Sequence, residues 1–149
     1  LKPLESLGLS LRSRTPVFYA WGPFSRGLAR IAKIKVNENA KRPAFWGALP
    51  EMNHNELVGF TQRGEQFAAI CLEDQDDPPR VRRRVAVMAD VLGDAGVAVH
   101  RWRTPDARHR LTRALGLLMA IDELTVQMAE AAGVDANAVE MVEAFKTAL

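Results

Sequence analysis

Residues 67–72 form a continuous apolar run, Phe-Ala-Ala-Ile-Cys-Leu, and this run limits the possible folds more than any other feature. An uninterrupted apolar run of this length, bounded by polar residues, predicts a strand that is buried on both faces. Such strands belong to parallel sheets, in which connecting helices cover both faces. The run therefore predicts an α/β fold.

The rest of the chain alternates in the same way between strand-like and helix-like patterns. Further strands are predicted at 16–21 and 97–102, and a short strand near 46–49 is left open. Helices are predicted at about 24–40, from Pro78-Pro79 to Gly93 or Gly96, at about 105–132, and from about 136 to the end. Ser25 is a possible cap of the first helix, and residues 22–25 are interpreted as a structural turn rather than a phosphate-binding loop.

These elements predict a single domain over residues 1–149, a three-layer α-β-α sandwich with a mainly parallel sheet of the flavodoxin type. The helix over 105–132 has an unusual middle, because residues 114–121 are apolar nearly all round. A helix of that kind is either central in the fold or covered by a second subunit.

The composition excludes several classes of protein. Hydrophobic content of 48% and charged content of 26% are those of a globular domain, and no apolar run is long enough to cross a bilayer. Arginines cluster at 80–84 and 101–113 without a groove-reading motif, so we expect solvated helix faces rather than nucleic-acid binding. The single cysteine, Cys71, fits a reducing cytoplasm. No targeting segment is visible in the sequence, and because the chain opens with Leu1 rather than Met, we expect a fragment of a longer gene product.

The segment 37–59 carries the chemistry. It holds four asparagines, three glutamates, one histidine and two prolines, a composition that is unusual for a helix interior and typical of a site on a loop. Glu38 and His54 together supply what an enolisation needs. The carboxylate moves a carbon-bound proton, and the imidazole moves protons on oxygen near neutral pH.

Three motifs in this chain resemble those of one known family. "NENAK" (37–41), "PEMNHNELVG" (50–59) and "GVDANAVEMVEAFK" (133–146) are similar to the C-terminal region of bifunctional phosphoglucose/phosphomannose isomerases, which contain two sugar isomerase (SIS) domains in tandem. The similarity covers nearly the whole chain. It implies a C-terminal SIS-like domain, with the N-terminal SIS domain of the family absent from this chain.

The resemblance also implies roles for individual residues. Glu38 would be the base that shuttles a proton between C1 and C2 of a sugar phosphate through a cis-enediol. His54 would assist ring opening at the site of the neighbouring subunit in a homodimer, and Lys146 would act at the ring oxygen. No metal or organic cofactor takes part. We further predict that Asn37, Asn53 and Lys41 bind substrate.

Other family features have no counterpart in the sequence. Its phosphate-binding serines and glycines and its enediolate-stabilising arginine lie upstream, and no segment here matches them. A threonine that the family links to mannose 6-phosphate is missing between Gly133 and Lys146, which argues against phosphomannose activity.

Each predicted residue also has an ordinary structural role open to it. Glu38 fits a helix-end carboxylate, His54 fits a cap or a hydrogen-bonded core residue, and Lys146 fits the last turn of a helix. Glu51 and Glu56 are interpreted as helix-start carboxylates or supporting partners of His54. A non-catalytic SIS module that binds a sugar phosphate or mediates dimerisation is therefore the alternative to an isomerase.

Overall fold

The computed structural model describes residues 7–8 and 10–149, and its strands and helices alternate as the sequence predicts. The strands are β1 (Thr15–Trp21), β2 (Phe45–Leu49), β3 (Phe67–Glu73) and β4 (Ala98–Arg103). The helices are α1 (Gly22–Asn39), α2 (Glu56–Gly59), α3 (Pro79–Asp94), α4 (Arg110–Ala132) and α5 (Glu140–Thr147), with short 3₁₀ turns at Glu51–Asn53 and Gly64–Gln66.

The four strands form one parallel sheet in the order β2-β1-β3-β4. The short strand that the sequence leaves open is present as β2, at the edge of the sheet beside β1. The strand order reverses between β1 and β3, as in flavodoxin-type sheets. The predicted fold class is therefore confirmed.

Helices cover both faces of the sheet, because successive side chains of each strand point to opposite faces. On one face, Phe18 of β1 and Ile70 of β3 pack into a core with α1 and α4. On the other, Tyr19 and Cys71 pack against α3 and the segment that follows β2. Residues 68–72 of the run are buried on both faces, as predicted, because α1 and α4 cover one face of β3 and α3 covers the other.

Three predicted helix ends are wrong. Ser25 does not cap α1, because Gly22 turns the chain directly from β1 into the helix with φ of +74° and leaves Ser25 buried inside it. The last helix begins at Glu140 rather than near 136, since the Asp135 carboxylate accepts a hydrogen bond from the Asn137 backbone N–H at 2.8 Å and holds a turn there.

The start of α4 is displaced further, from the predicted Pro105 to Arg110. The intervening residues form a loop that wraps the Arg113 side chain, whose Nη1 donates to the carbonyl oxygen of Ala107 at 2.9 Å. The hydrogen bond from the side chain to this carbonyl oxygen competes with the helical hydrogen bonds that the sequence predicts there.

The apolar middle of α4 has one covered and one exposed side. Ala114, Leu117 and Ile121 are buried in the core, whereas Leu115 and Met119 are 54% and 73% exposed. The segment is therefore not central in the fold of this chain. None of the helices in residues 7–8 and 10–149 has the length and apolarity that crossing a bilayer requires.

A buried ion pair fastens α4 to the end of β3. Arg113 is 1% exposed, and its Nε and Nη2 donate to the two carboxylate oxygens of Asp74 at 3.0 and 2.9 Å. Arg113 also donates to the Asp76 carboxylate, and Thr104 donates to Asp74 at 3.1 Å. Burial raises the pKa of Asp74, but the hydrogen bonds from Arg113, the Asp76 backbone N–H and Thr104 outweigh it, so that pKa lies below its ordinary value.

Arg113→Met tests this pair. The substitution leaves the Asp74 carboxylate buried without its cation, and we expect the midpoint of thermal unfolding to fall by about 10 °C near neutral pH. Arg110→Met is the control, because Arg110 is largely exposed, reaches Asp76 at 3.5 Å and lies 5.3 Å from the centre of the Phe24 ring. Circular dichroism would measure both midpoints.

The same comparison in acid checks the origin of the effect. A lowered carboxyl pKa stabilises the fold at pH above the ordinary value of 3.8 and loses that contribution as the pH falls through the lowered value. The difference between wild type and Arg113→Met should therefore shrink below pH 3.8. Equal losses for Arg113→Met and Arg110→Met would contradict the role given to the buried pair.

Candidate active site

The asparagines of the "NEN" motif hold the end of α1 and leave the glutamate between them exposed. Asn37 Nδ2 donates to the carbonyl oxygen of Arg42 at 2.7 Å, and Asn39 Nδ2 donates to Thr125 Oγ1 of α4 at 2.9 Å. The Glu38 carboxylate makes no hydrogen bond or ion pair with any described residue, and it faces solvent. Two anchored amides thus present one available carboxylate at the helix end.

Lys41 closes this turn and connects it to the approach to α5. It adopts φ of +54°, and its Nζ donates to the carbonyl oxygens of Glu38 and, at 3.0 Å, of Ala136. The neighbouring Arg42 is also engaged in the fold, since its guanidinium donates to the carbonyl oxygens of Leu11 and, at 2.9 Å, of Arg14. The predicted substrate-binding role of Lys41 stays a prediction, now for an ammonium group that already has partners.

Lys146 lies on the helix that starts beside this turn. Its Nζ pairs with Glu143 Oε1 at 2.7 Å on the exposed surface of α5. Because α4 runs from the carboxyl end of the sheet to the amino end, the chain leaves it close to "NENAK", as the contact between Lys41 and Ala136 records. Glu38, Lys41 and the approach to the helix of Lys146 therefore lie together at the amino end of the sheet.

His54 lies at the opposite end of the sheet, where the carboxyl ends of the strands are. It follows β2, beyond the carboxyl ends of the strands, whereas α1 runs back along the sheet and ends with Glu38 near their amino ends. The length of β2 alone separates the two ends by ~15 Å. The structure therefore does not bring Glu38 and His54 together within one chain.

The loop that carries His54 is tied down on both sides of the exposed imidazole. Asn53 Oδ1 accepts a hydrogen bond from Arg84 of α3 at 3.3 Å, and Asn53 Nδ2 contacts Met52 Sδ at 3.0 Å. Glu56 Oε2 accepts a hydrogen bond from the hydroxyl of Tyr19 at 2.6 Å. The predicted substrate-binding role of Asn53 stays a prediction.

Arg84 and Tyr19 are the neighbours of the site that sequence reasoning missed. Arg84 belongs to an arginine cluster at the start of α3, a pattern typical of a solvated helix face. Tyr19 lies in a run of β-forming residues and has no feature that distinguishes it from an ordinary strand residue. The alternation of β1 places Tyr19 on one face of the sheet, but it does not predict which segment packs there.

A crevice of about 180 Å³ opens at the carboxyl end of the sheet, where the strand order reverses. Gly22 and Ser25 line it from α1, together with Asp74, Asp76 and Asp77 after β3. Arg110 also lines the crevice, but three aspartates outnumber it, so the lining disfavours a phosphate, in agreement with the interpretation of residues 22–25 as a structural turn. In the part of the chain that the structure describes, no three His, Cys, Asp or Glu side chains are arranged to hold a metal ion.

The chain matches one known protein family over nearly its whole length. Residues 2–149 match the family described as the bacterial phospho-glucose isomerase C-terminal SIS domain. The chain belongs to this family. Its sheet and helices are accordingly those of a SIS domain.

Several relatives share sequence over most of the domain. A bifunctional phosphoglucose/phosphomannose isomerase from Aquifex aeolicus is 32% identical over 100% of this chain and 48% of its own length. An enzyme of the same name from Thermoplasma volcanium is 31% identical over 88% of this chain and 41% of its own length. A D-glucosamine-6-phosphate 4-epimerase from Sulfolobus acidocaldarius is 43% identical, but over only 42% of this chain and 20% of its own length. The SIS domain thus spans about half the length of the isomerases that it matches.

Solved structures confirm the fold. A glucose-6-phosphate isomerase like protein from Thermus thermophilus superimposes with a TM-score of 0.70 at 20% identity, over 99% of this chain and 47% of the other. The C-terminal domain of glucosamine-fructose-6-phosphate aminotransferase from Francisella tularensis gives 0.73 at 10% identity, over 92% of this chain and 41% of the other.

Lys41→Met separates a structural from a substrate-binding lysine. If the ammonium mainly holds the turn, the variant should expose the backbone of residues 134–139 to hydrogen exchange about tenfold faster, because one charged hydrogen bond to Ala136 is lost. Lys33→Met, on α1 but outside this turn, is the control. Unchanged exchange in Lys41→Met would contradict the structural role.

Proposed function

We propose that this SIS domain is the catalytic C-terminal half of a sugar-phosphate aldose–ketose isomerase that interconverts glucose 6-phosphate and fructose 6-phosphate. The observation that carries the proposal is the exposed carboxylate of Glu38, held at the end of α1 by two asparagines that bond to fixed partners. A base needs a defined position and an available oxygen to move a carbon-bound proton, and this arrangement supplies both.

The proposed reaction is proton transfer through a cis-enediol. Glu38 removes the proton from C2 of the open-chain aldose and returns it to C1, while the proton of the hydroxyl on C2 moves to the oxygen on C1. His54 and Lys146 handle protons at the ring oxygen during ring opening. Mannose 6-phosphate is a weaker proposed substrate, since residues 133–146 contain no threonine. The phosphate would be anchored by residues outside this chain, which spans about half the length of the isomerases that it matches.

A site that uses both Glu38 and His54 requires two chains. The two residues lie at opposite ends of the sheet, so His54 would act on a substrate held beside Glu38 of a neighbouring subunit. The exposed side of α4 supports such an association. Leu111, Leu115 and Met119 recur there at four-residue spacing and are 69%, 54% and 73% exposed, a pattern typical of a helix that packs on another surface.

The alternative function is a non-catalytic SIS module that binds a sugar phosphate or mediates dimerisation. The engagement of Lys41 and Arg42 with backbone carbonyls favours the dimerisation role, because both cations of this turn then have partners within the fold rather than a phosphate. The two functions differ in what Glu38 does.

Glu38→Gln in the complete gene product that carries this chain tests the proposal. The amide keeps the size of the side chain and removes the base, so we expect the rate of glucose 6-phosphate isomerisation to fall by at least about a hundredfold. Glu130→Gln, another exposed glutamate, is the matched control and should keep full activity. A coupled assay for fructose 6-phosphate gives both rates.

Calorimetry with fructose 6-phosphate completes that experiment. Binding without measurable turnover by the wild-type protein would favour the module. Near-wild-type turnover by Glu38→Gln would end the assignment of Glu38 as the base.

The proposed homodimer is tested by Leu115→Glu combined with Met119→Glu. Two charges on the exposed side of α4 should convert a dimer to a monomer at micromolar concentration, because a buried interface does not accept unpaired carboxylates. Light scattering after gel filtration measures the mass. Val87→Glu makes the same change at an exposed site of α3 and should leave the mass unchanged. A monomeric wild type would remove the support for a shared site.

A further inference from the structure

A hydrogen bond from the buried core reaches the loop that carries His54. The donor is the hydroxyl of Tyr19, which is 0% exposed in β1, and the acceptor is Glu56 Oε2, at 2.6 Å. Glu56 is only two residues beyond His54 and begins α2. A side chain of the sheet thus holds the loop close to its exposed imidazole.

The space for this bond depends on a glycine in the neighbouring strand. Gly47 lies directly beside Tyr19 in the register of β1 and β2. A Cβ at position 47 would lie 2.7 Å from Tyr19 Cε1 and 2.9 Å from Glu56 Oε1, so one of these side chains would have to move to admit it. The ring of Tyr19 and the carboxylate of Glu56 therefore meet over the one strand position that leaves room for both.

The direction of the bond is fixed. Burial, the hydrogen bond to Glu56 and the negative charge of Glu56 all raise the pKa of Tyr19 above its ordinary value. The hydroxyl thus stays protonated and donates, and the Glu56 carboxylate accepts. A charge-assisted bond of this length is stronger than a neutral one, and its partly dry surroundings strengthen it further.

The short segment between Glu56 and His54 transmits this anchor. The Asn55 side chain accepts a hydrogen bond from the Glu56 backbone N–H at 2.7 Å, and the His54 backbone N–H donates to the carbonyl oxygen of Glu51 at 2.9 Å. Each residue from His54 to Glu56 is therefore fixed by at least one bond.

We propose that Tyr19 and Glu56 are positioning residues for His54. They set where the imidazole stands outside the sheet, so that it meets a substrate held by a second chain. Neither residue touches that substrate. The inference rests on the proposed function, because it gives His54 a task for which its position matters.

Tyr19→Phe is the central variant, since it removes one oxygen and keeps the ring in the core. In the complete gene product, we expect kcat to fall about tenfold or more with KM changed less than about twofold, because a misplaced imidazole weakens the reaction more than ground-state binding. Val85→Ala is the matched control. Val85 lies in the same core cluster as Tyr19 but belongs to α3 rather than to the loop, and this variant should lose a similar amount of thermal stability with kcat unchanged.

Glu56→Gln and Glu56→Leu provide the rescue comparison. The amide oxygen of glutamine still accepts the Tyr19 hydroxyl, whereas leucine fills the space without an acceptor. We expect Glu56→Gln to retain most of the wild-type kcat and Glu56→Leu to match Tyr19→Phe. Similar values for glutamine and leucine at position 56 would contradict the role of the bond.

A readout that needs no turnover keeps this inference separate from the proposed function. In Tyr19→Phe, the NMR signals of the His54 imidazole and of backbone amides 53–56 should shift or broaden, while the imidazole signals of His100 and His109 stay in place. Unchanged His54 signals would overturn the positioning role, whatever the activity. Altered His54 signals together with full activity in His54→Ala would confirm the positioning and refute the proposed role of His54 in the reaction.

Discussion

The buried ion pair between Arg113 and Asp74 is the constraint on which the placement of Glu38 depends. It fastens the first turn of α4 to the carboxyl end of β3, inside a region where an unpaired charge would be strongly destabilising. The far end of α4 then holds α1 through the Thr125 hydroxyl and through Asp122, which pairs with Lys35 at 2.8 Å. The position of the Glu38 carboxylate thus depends on α4, and the position of α4 is set at the carboxyl end of the sheet by the Arg113–Asp74 pair.

Parallel topology explains why this domain presents Glu38 and His54 at opposite ends of its sheet. A helix that follows a strand returns antiparallel to it, so the end of α1 lies near the amino ends of the strands. A loop that follows a strand directly, as the loop of His54 follows β2, stays at the carboxyl ends. No rearrangement inside one chain brings these groups together without breaking the sheet. The shared site of the proposed isomerase is therefore a consequence of where the motifs fall in the strand–helix order.

The sequence predicts the elements well and the long-range contacts poorly. The apolar run at 67–72 and the helical spacing after it depend on local pattern, and both are confirmed. The predicted start of α4 is wrong. Pro105 favours the start of a helix, but the buried Arg113 side chain donates hydrogen bonds to the carbonyl oxygens of residues 107 and 108, and this segment forms a loop instead. The bond between Tyr19 and Glu56 joins residues 37 positions apart, and neither residue has a local signal for the other. Such partners become visible only when the register of β1 and β2 is known.

The surroundings of the carboxylates also bear on why Glu38, rather than Glu56, is the proposed base. Both follow asparagines in unusual motifs, and composition alone does not separate them. Glu56 is half-buried and accepts a hydrogen bond from a tyrosine that stays protonated, so one of its oxygens is committed to the fold. The Glu38 carboxylate has no such partner among the described residues, because the asparagines on either side make the structural contacts in its place. A carboxylate that must accept and release a proton needs available oxygens, as Glu38 has. A carboxylate that must hold a loop needs a fixed hydrogen-bond partner, as Glu56 has.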